Sequence, residues 1–222
     1  FAYRNYRLYF AGQVVSLTGT WVTQTASLWL AYHMTSSPSI LGLVAFANQA
    51  PIFFFAPFAG VWIDRMDRLR LLVITQALAM LQSTALAALT YTGTMQIPHR
   101  SGLCLLQGLI NAFDMPARQA LVVDLVDRRE HLGNAIALNS SMFNLARLAG
   151  PAVAGWLIAA YGVAWCYGLD ALSYAAVIAA LLAMRIRPRE VPASRKHPWA
   201  ELREGLHYAF GFAPIRALIV LV

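Results

Sequence analysis

Two stripes of polar residues interrupt otherwise apolar stretches of this sequence. Members of the first stripe are spaced four, three and four residues apart, which puts them on one face of a helix: Gln107, Asn111, Asp114 and Arg118. A similar spacing relates the members of the second stripe: Ser140, Asn144, Arg147 and Pro151. A carboxylate near guanidinium groups in apolar surroundings can take up a proton or exchange one ionic partner for another.

Asp114 is the carboxylate of these stripes and the candidate coupling residue. An ionised side chain costs about 2.5–3.5 kcal/mol at the centre of a bilayer, so such residues usually face a cavity or a partner. We expect Arg147, at similar depth on a nearby segment, to be the switchable partner of Asp114, with Arg118 the weaker candidate. A purely structural buried ion pair is the alternative. The remaining cavity candidates are the amides of the two stripes: Gln107, Asn111 and Asn144.

Motifs of enzyme active sites do not occur in the chain. It contains no HExxH, GxSxG or paired-Asp motif and no P-loop Lys. Cys104 and Cys166 both lie near the ends of apolar segments. We interpret them as packing residues and not as a disulfide or a pair of metal ligands. We therefore expect no catalytic residues, no cofactor and no metal site.

The elements that carry the stripes are long apolar segments. Hydrophobic residues make up 59% of the chain and charged residues 12%, against roughly 25% charged in soluble domains. A helix that crosses a bilayer needs about 20 apolar residues, and six segments reach that length: 8–32, 39–63, 71–93, 101–124, 133–160 and 164–184. The sequence thus predicts an all-α membrane protein in a lipid bilayer.

Three parts follow from this pattern: a six-helix transmembrane bundle over 1–184, a cytoplasmic linker over 185–213, and the start of a seventh transmembrane helix over 214–222. The linker contains an amphipathic helix, because Trp199, Leu202, Leu206 and Phe210 recur at helical intervals. The chain begins at Phe1 and ends within an apolar run, so both ends are expected to be truncated.

Basic residues are concentrated in the connections on one side of the predicted bundle: Arg4, Arg7, Arg65, Arg68, Arg70, Arg128, Arg129, Arg185, Arg187, Arg189, Arg195, Lys196 and Arg203. The loops on the other side carry only Arg100. This bias marks the cytoplasmic side and predicts a multi-pass protein of the bacterial inner membrane with a cytoplasmic amino terminus. The net charge of +7 suits anionic lipid headgroups and requires no nucleic acid. Asp170 is expected near the outer membrane interface.

One short connection mixes both signs of charge. GVWIDRMDRLR, from Gly60 to Arg70, contains two aspartates among its three arginines. The arginines hold the orientation of the hairpin, but acidic residues contribute little to orientation. Asp64 and Asp67 therefore either balance the arginines locally or serve another role.

This segment resembles the signature between helices 2 and 3 of the major facilitator superfamily, whose positions here are Gly60, Asp64, Arg65, Arg68 and Arg70. Asp67 stands where the superfamily usually has a second Gly. LARLAGPAVAGWL, 145–157, is similar to the Gly-Pro motif of exporters, through Gly150, Pro151 and Gly155. The stretch 107–126 resembles the enterobactin-exporter and macrolide-efflux branch. Cys104 replaces an Arg that the superfamily often has four residues before the Gly of helix 4, here Gly108.

The resemblance implies that this chain is the amino-terminal half of a twelve-helix transporter and consists of two inverted three-helix repeats. The carboxy-terminal half of the transporter is then a missing partner. The resemblance also implies alternating access, with Asp64 latching the cytoplasmic gate and the Gly-Pro motif sealing the cavity. With no Walker motif for ATP, protons are the natural coupling partner, and we expect export of an amphipathic small molecule, a siderophore or a drug. Uptake of a small solute and a non-transporting scaffold or receptor remain the alternatives.

Overall fold

The computed structural model describes residues 4–35, 37–63, 65–126, 129–184 and Gly211. Asp64 and Arg128 lie outside the described residues. So do the predicted linker, apart from Gly211, and the predicted start of a seventh helix over 214–222.

Six long α-helices and one short 3-10 helix make up the regular structure of the described residues. The α-helices, in chain order, are α1 Arg4–Thr35, α2 Pro38–Ile63, α3 Arg68–Tyr91, α4 Ile97–Asp124, α5 Leu132–Tyr161 and α6 Val163–Leu182. The 3-10 helix, Arg129–His131, precedes α5. Each α-helix coincides with one predicted apolar segment to within a few residues, and no strand occurs in the described part of the chain, so the all-α prediction is confirmed.

Four of these helices, among the residues described, are long and apolar enough to cross a membrane: α2, α3, α5 and α6. The sequence predicts six such spans. The two remaining helices, α1 and α4, reach the length but not the apolar content, because each contributes polar side chains to the interior, such as Gln13 and Asp114. Polar residues of membrane helices are expected to face a cavity or one another in this way.

The loop between α2 and α3 ends in a helix cap at Asp67. Its carboxylate Oδ1 accepts hydrogen bonds from the backbone N–H groups of Leu69 at 3.0 Å and Arg70 at 3.1 Å. Asp67 itself has an extended conformation, with φ −67° and ψ 110°. A left-handed conformation, which would favour Gly, is therefore not required here, and Asp in its place stabilises the first turn of α3.

The main helix contacts link α2 with α4, α3 with both α4 and α6, and α1 with both α5 and α6. Apolar clusters lie at both ends of the bundle. One cluster, around Tyr6, Leu72 and Leu121, lies where α1 begins and α4 ends. The other, around Val22 and Tyr167, lies toward the opposite end. The layer between them holds most of the buried polar side chains.

Helices α1 and α5 approach closely at Gly150. A Cβ atom added there would lie 2.4 Å from the Cβ of Trp21 and 3.1 Å from its carbonyl carbon. Gly155, the second glycine of the Gly-Pro motif, has no described atom within 4 Å of such a Cβ. Close packing in the Gly-Pro motif therefore depends on Gly150 in this structure, because Gly155 lies on a different face of α5. Pro151 lies inside α5, which continues to Tyr161.

Replacing Gly150 with Ala is expected to destabilise the bundle by about 1–3 kcal/mol, the usual cost of forcing a methyl group into a packed contact. The matched control is Gly155→Ala on the same helix, which meets open space and should leave stability unchanged or slightly raised. Thermal unfolding of the two full-length variants in one detergent measures the difference. Equal melting temperatures for both variants would show that the α1–α5 contact at Gly150 tolerates a methyl group.

Candidate functional site

An open cavity of about 400 Å³ lies between α1, α4, α5 and α6. Its lining includes the predicted residues Asn111, Asp114, Arg118 and Asn144. The structure therefore brings residues of both sequence stripes to one space. Two predicted residues, Gln107 and Arg147, do not line this cavity.

Asp114 is buried at the wall of the cavity, with 3% of its surface exposed. Its Oδ1 accepts hydrogen bonds from Thr75 Oγ1 and Gln76 Nε2 of α3, both at 2.7 Å. Its Oδ2 accepts from Nε of Arg118, one turn further along α4. Two neutral donors and one guanidinium therefore hold the carboxylate of Asp114, and the hydrogen bond from the guanidinium is charge-assisted.

Arg118 is the ionic partner of Asp114, and it also reaches across to α1. Its Nη1 donates to the side-chain oxygen of Gln13, which is itself buried. The guanidinium therefore links α4 to α1 while Asp114 links α4 to α3. A single polar network thus joins three helices at the cavity wall.

The expected pairing of Asp114 with Arg147 is not present in this structure. The Arg147 guanidinium lies over the ring of Trp21 of α1, with its Cζ 5.6 Å from the ring centroid. Arg147 is exposed. The physical reason is the helix arrangement: α5 packs on α1 and barely contacts α4. Arg118 is four residues from Asp114 on the same helix, so it reaches the carboxylate first.

The amides of the two stripes make local bonds. Gln107 Nε2 donates to Asn111 Oδ1 at 3.1 Å along α4, and Asn144 Nδ2 donates to the carbonyl of Ser140 at 2.9 Å along α5. Of these four residues, only Gln107 lies outside the cavity lining, although its spacing places it on the same helix face. Asn111, Ser140 and Asn144 therefore contribute polar surface to the cavity.

The charged connection between α2 and α3 is anchored through Arg68. Its Nη1 donates to Asp124 Oδ2 at 2.7 Å and to the carbonyl of Ala120 at 3.2 Å, near the end of α4. Arg70 lies 3.6 Å from Asp67, and both side chains are exposed. Among the described residues of the motif, Arg68 thus ties α3 to α4. A Cβ atom added at Gly60 would meet no described atom within 4 Å, so this glycine makes no close contact with the part of the chain that the structure describes.

Sequence reasoning missed part of the site. The missed polar residues of the cavity and its wall come from five helices: Tyr9, Gln13, Thr75, Gln76, Gln119, Asn139 and Tyr174. A signal existed for α3, because Thr75 and Gln76 lie seven residues before Gln82 and Ser83 in an apolar helix. Two turns separate such pairs, which places them on one face. All four residues are buried.

Two charged residues lie deeper than the sequence indicates. Arg100, expected in an outer loop, belongs to the first turn of α4 because that helix begins at Ile97; it is 1% exposed and donates to the carbonyl of Ser27. Asp170, expected at the membrane interface, is likewise 1% exposed. It lies in the second turn of α6, where α1 and α3 cover it.

Neither candidate metal ligands nor thiols gather at the cavity in the described part of the chain. No group of three or more His, Cys, Asp or Glu side chains that could hold a metal occurs in this part of the chain, and Cys104 and Cys166 are buried, free thiols. What the cavity provides is a polar, partly aromatic wall with one ion pair at its base.

Known proteins resemble this chain along nearly its whole length. The sequence model of the family described as transmembrane secretion effector matches residues 1–221. The staphyloferrin A transporter of Staphylococcus aureus is 29% identical over 195 residues, which cover 86% of this chain and 49% of that protein. Macrolide efflux protein A of Streptococcus pyogenes is 24% identical, with 99% of this chain and 60% of that protein covered.

A third relative, the multidrug efflux pump Tap of Mycolicibacterium fortuitum, is 25% identical over 91% of this chain and 51% of its own length. The chain thus spans about half the length of the relatives it matches. Among solved structures, a peptide transporter, POT, in complex with sulfate superimposes with a TM-score of 0.69. Its identity is 14%, with 99% of this chain and 46% of that chain covered, so the likeness concerns the fold.

The matched family and these relatives are membrane transporters rather than enzymes, in agreement with the expectation from the sequence. The match over residues 1–221 covers the polar stripes, the charged connection and the Gly-Pro motif together. The chain belongs to the transmembrane secretion effector family of the major facilitator superfamily.

Proposed function

We propose that the full-length protein is a proton-coupled exporter of an amphipathic small molecule, working by alternating access in the bacterial inner membrane. The observation that carries this proposal is the polar cavity between α1, α4, α5 and α6, with the Asp114–Arg118 pair at its wall. A molecule with both apolar and polar parts suits this lining. Phe143, Met115 and Leu17 alternate there with Asn and Ser side chains.

The substrate class is supported by the names of the relatives. They include a siderophore transporter, a macrolide efflux protein and a multidrug efflux pump. We infer export of a siderophore or a drug, and not uptake, because two of these three names denote efflux. The molecule itself would be enclosed by this half and by the remaining half of the longer protein.

We further propose that the six helices are two inverted three-helix repeats and form one half of a twelve-helix transporter. The packing supports this arrangement. In this arrangement α1, α2 and α3 correspond to α4, α5 and α6. The contact between α1 and α5 then corresponds to the contact between α4 and α2, and the contact between α1 and α6 corresponds to that between α4 and α3. The α3–α6 contact maps onto itself. Transport sites in such folds lie at the repeat interface near the midplane, and we propose that Asp114 of α4 lies there.

Coupling would act through competition for Asp114. Arg118 already bonds both Asp114 and Gln13, so the guanidinium keeps a partner when a proton or a cationic substrate occupies the carboxylate. Arg147, held over Trp21, is a second cation one turn beyond Asn144 and outside the cavity lining. A change in the partner of Arg118 alters the link between α1 and α4, and contacts made in only one state bias an equilibrium between two conformations.

The cytoplasmic gate would involve the connection between α2 and α3. Asp67 caps α3 and Arg68 binds Asp124, so both serve this half of the transporter. We propose that Asp64, which lies outside the described residues, binds basic residues or a helix end of the other half. A carboxylate near a helix amino terminus typically gains about 0.3–1 kcal/mol. The arginines around it support a cytoplasmic position for this connection and for the amino terminus.

Export by the full-length protein is tested in cells of a strain with few other efflux systems. Cells that express it are expected to accumulate less of one or more compounds in a panel of fluorescent drugs and siderophores than cells with an empty vector. Collapse of the proton gradient should remove the difference. Equal accumulation across the panel would contradict the proposal, and increased accumulation would favour uptake.

A further inference from the structure

Asp170 is a second buried carboxylate, which does not itself line the cavity. It lies on α6 with 1% of its surface exposed. The α1 backbone passes directly over it at Gly19, where an added Cβ would lie 2.7 Å from Asp170 Oδ1 and 2.6 Å from Ser173 Oγ. The backbone of α1 therefore leaves no room for water between itself and the carboxyl of Asp170 while α1 and α6 remain packed.

The hydrogen bonds to Asp170 are few and come from neutral groups. Ser83 Oγ of α3 donates to Oδ2 at 2.8 Å. Ser173 Oγ lies 2.7 Å from the backbone carbonyl of Asp170 and 3.4 Å from Oδ1. A hydroxyl has one proton to donate, and the shorter distance assigns it to the carbonyl. Thr23 of α1 faces the carboxyl without a hydrogen bond of good geometry.

Charged groups do not compensate Asp170 directly. No basic nitrogen among the described residues lies within 4 Å of its carboxylate. The titratable groups around it are Arg118 of α4, at longer range, and the neighbouring phenol Tyr174 of α6; α1 and α3 present the hydroxyls of Thr23 and Ser83. Tyr174 also lines the cavity, and its hydroxyl lies 3.5 Å from that of Thr20.

The two buried aspartates of this bundle are therefore built differently. Asp114 receives two short neutral hydrogen bonds and a guanidinium, whereas Asp170 receives one short hydrogen bond and no guanidinium. Ionising a buried carboxylate without a cation is costly, and such a group takes up a proton instead. The surroundings of Asp170 therefore suit a carboxylic acid.

We propose that Asp170 is a proton-binding site, protonated while α1 packs on α6 and able to exchange its proton with water only when that contact opens. The exchange transfers H⁺ between the carboxyl and water and changes no other bond. A role for Asp170 in coupling, beside Asp114, rests on the proposed proton-coupled transport. The protonation of Asp170 itself does not. Its protonation in the packed state can be measured without any transport.

Infrared spectroscopy of the full-length protein in lipid membranes detects a protonated carboxyl through its C=O stretch, which shifts in D₂O. Wild-type protein near neutral pH is expected to show this band, and Asp170→Asn should lose it, while Asp114→Asn as the matched control should retain it. Absence of the band in wild-type protein, or its persistence unchanged in Asp170→Asn, would overturn the proposal.

Ser83→Ala provides a second, independent readout. Removing the hydroxyl that donates to Asp170 Oδ2 should keep the band and move it to higher frequency, because the C=O bond loses its hydrogen bond. A band that does not move in Ser83→Ala belongs to another carboxyl and would refute the assignment. The spectra give the same answer whether or not the protein exports a compound, so this proposal and the export proposal can fail separately.

Discussion

Replacing Asp114 with Asn is expected to lower the stability of the protein and to abolish proton-driven accumulation of substrate. The amide leaves the Arg118 guanidinium without its counter-ion, and breaking a buried ion pair costs about 3–5 kcal/mol. We expect the lower end of that range, because the Arg118 side chain keeps 16% exposure to the cavity. Thermal unfolding measures the first effect, and gradient-driven transport in vesicles measures the second.

The double variant Asp114→Asn with Arg118→Gln separates the two roles. Removing both charges leaves no unpaired guanidinium, and neutral replacements of buried pairs are often tolerated, so the melting temperature should recover toward wild type. Transport against a gradient should stay lost if Asp114 couples transport to protons. Recovery of both stability and gradient-driven transport in the double variant would leave Asp114 with a structural role alone.

Replacing Arg118 with Gln is expected to be far more damaging than the same change at Arg147. Arg118 bonds Asp114 and Gln13 in the interior, and its loss leaves a buried carboxylate with neutral donors only, at a cost of about 3 kcal/mol. Arg147 is exposed and contacts the face of Trp21, so Arg147→Gln should cost about 0.5–1 kcal/mol, as for an exposed cation–π contact. Thermal unfolding of the full-length variants, compared at one pH and salt concentration, measures both.

This pair of variants tests which arginine is the partner of Asp114. Equal losses of stability would show that the carboxylate depends on both cations. A larger loss in Arg147→Gln than in Arg118→Gln would contradict the pairing described here and restore the partner expected from the sequence. Substrate binding in Arg147→Gln should be measured as well, since a stable variant with weaker binding would place this cation on the substrate side of the cavity.

Much of the fold was predictable because its signals are local. Runs of about 20 apolar residues specify membrane-length helices. All six long helices coincide with predicted segments, and four of the described helices are apolar enough to cross a membrane. The motifs in the charged connection and around Gly150-Pro151 identify the superfamily without reference to tertiary structure. The helix cap at Asp67 could also be predicted from the sequence, since an Asp directly before a helical segment is a common amino-terminal cap.

The common face of Asn111, Asp114 and Arg118 follows from helical periodicity, and the cavity lining agrees with it. The ionic partner of Asp114 did not follow. Arg118 and Arg147 both satisfied the sequence criteria of charge and depth, and only the packing of α5 on α1, away from α4, separates Arg147 from the carboxylate.

The sequence by itself determined the class of the protein, its helices and the faces that carry polar residues, because hydrophobicity and periodicity depend on neighbours in the chain. Only the tertiary structure decided that Thr75 and Gln76 of α3 bind Asp114 and that α1 buries Asp170. Those contacts join residues far apart in the chain. They depend on which helix faces meet and how closely, and a close approach such as that at Gly19 is set by the packing of whole helices.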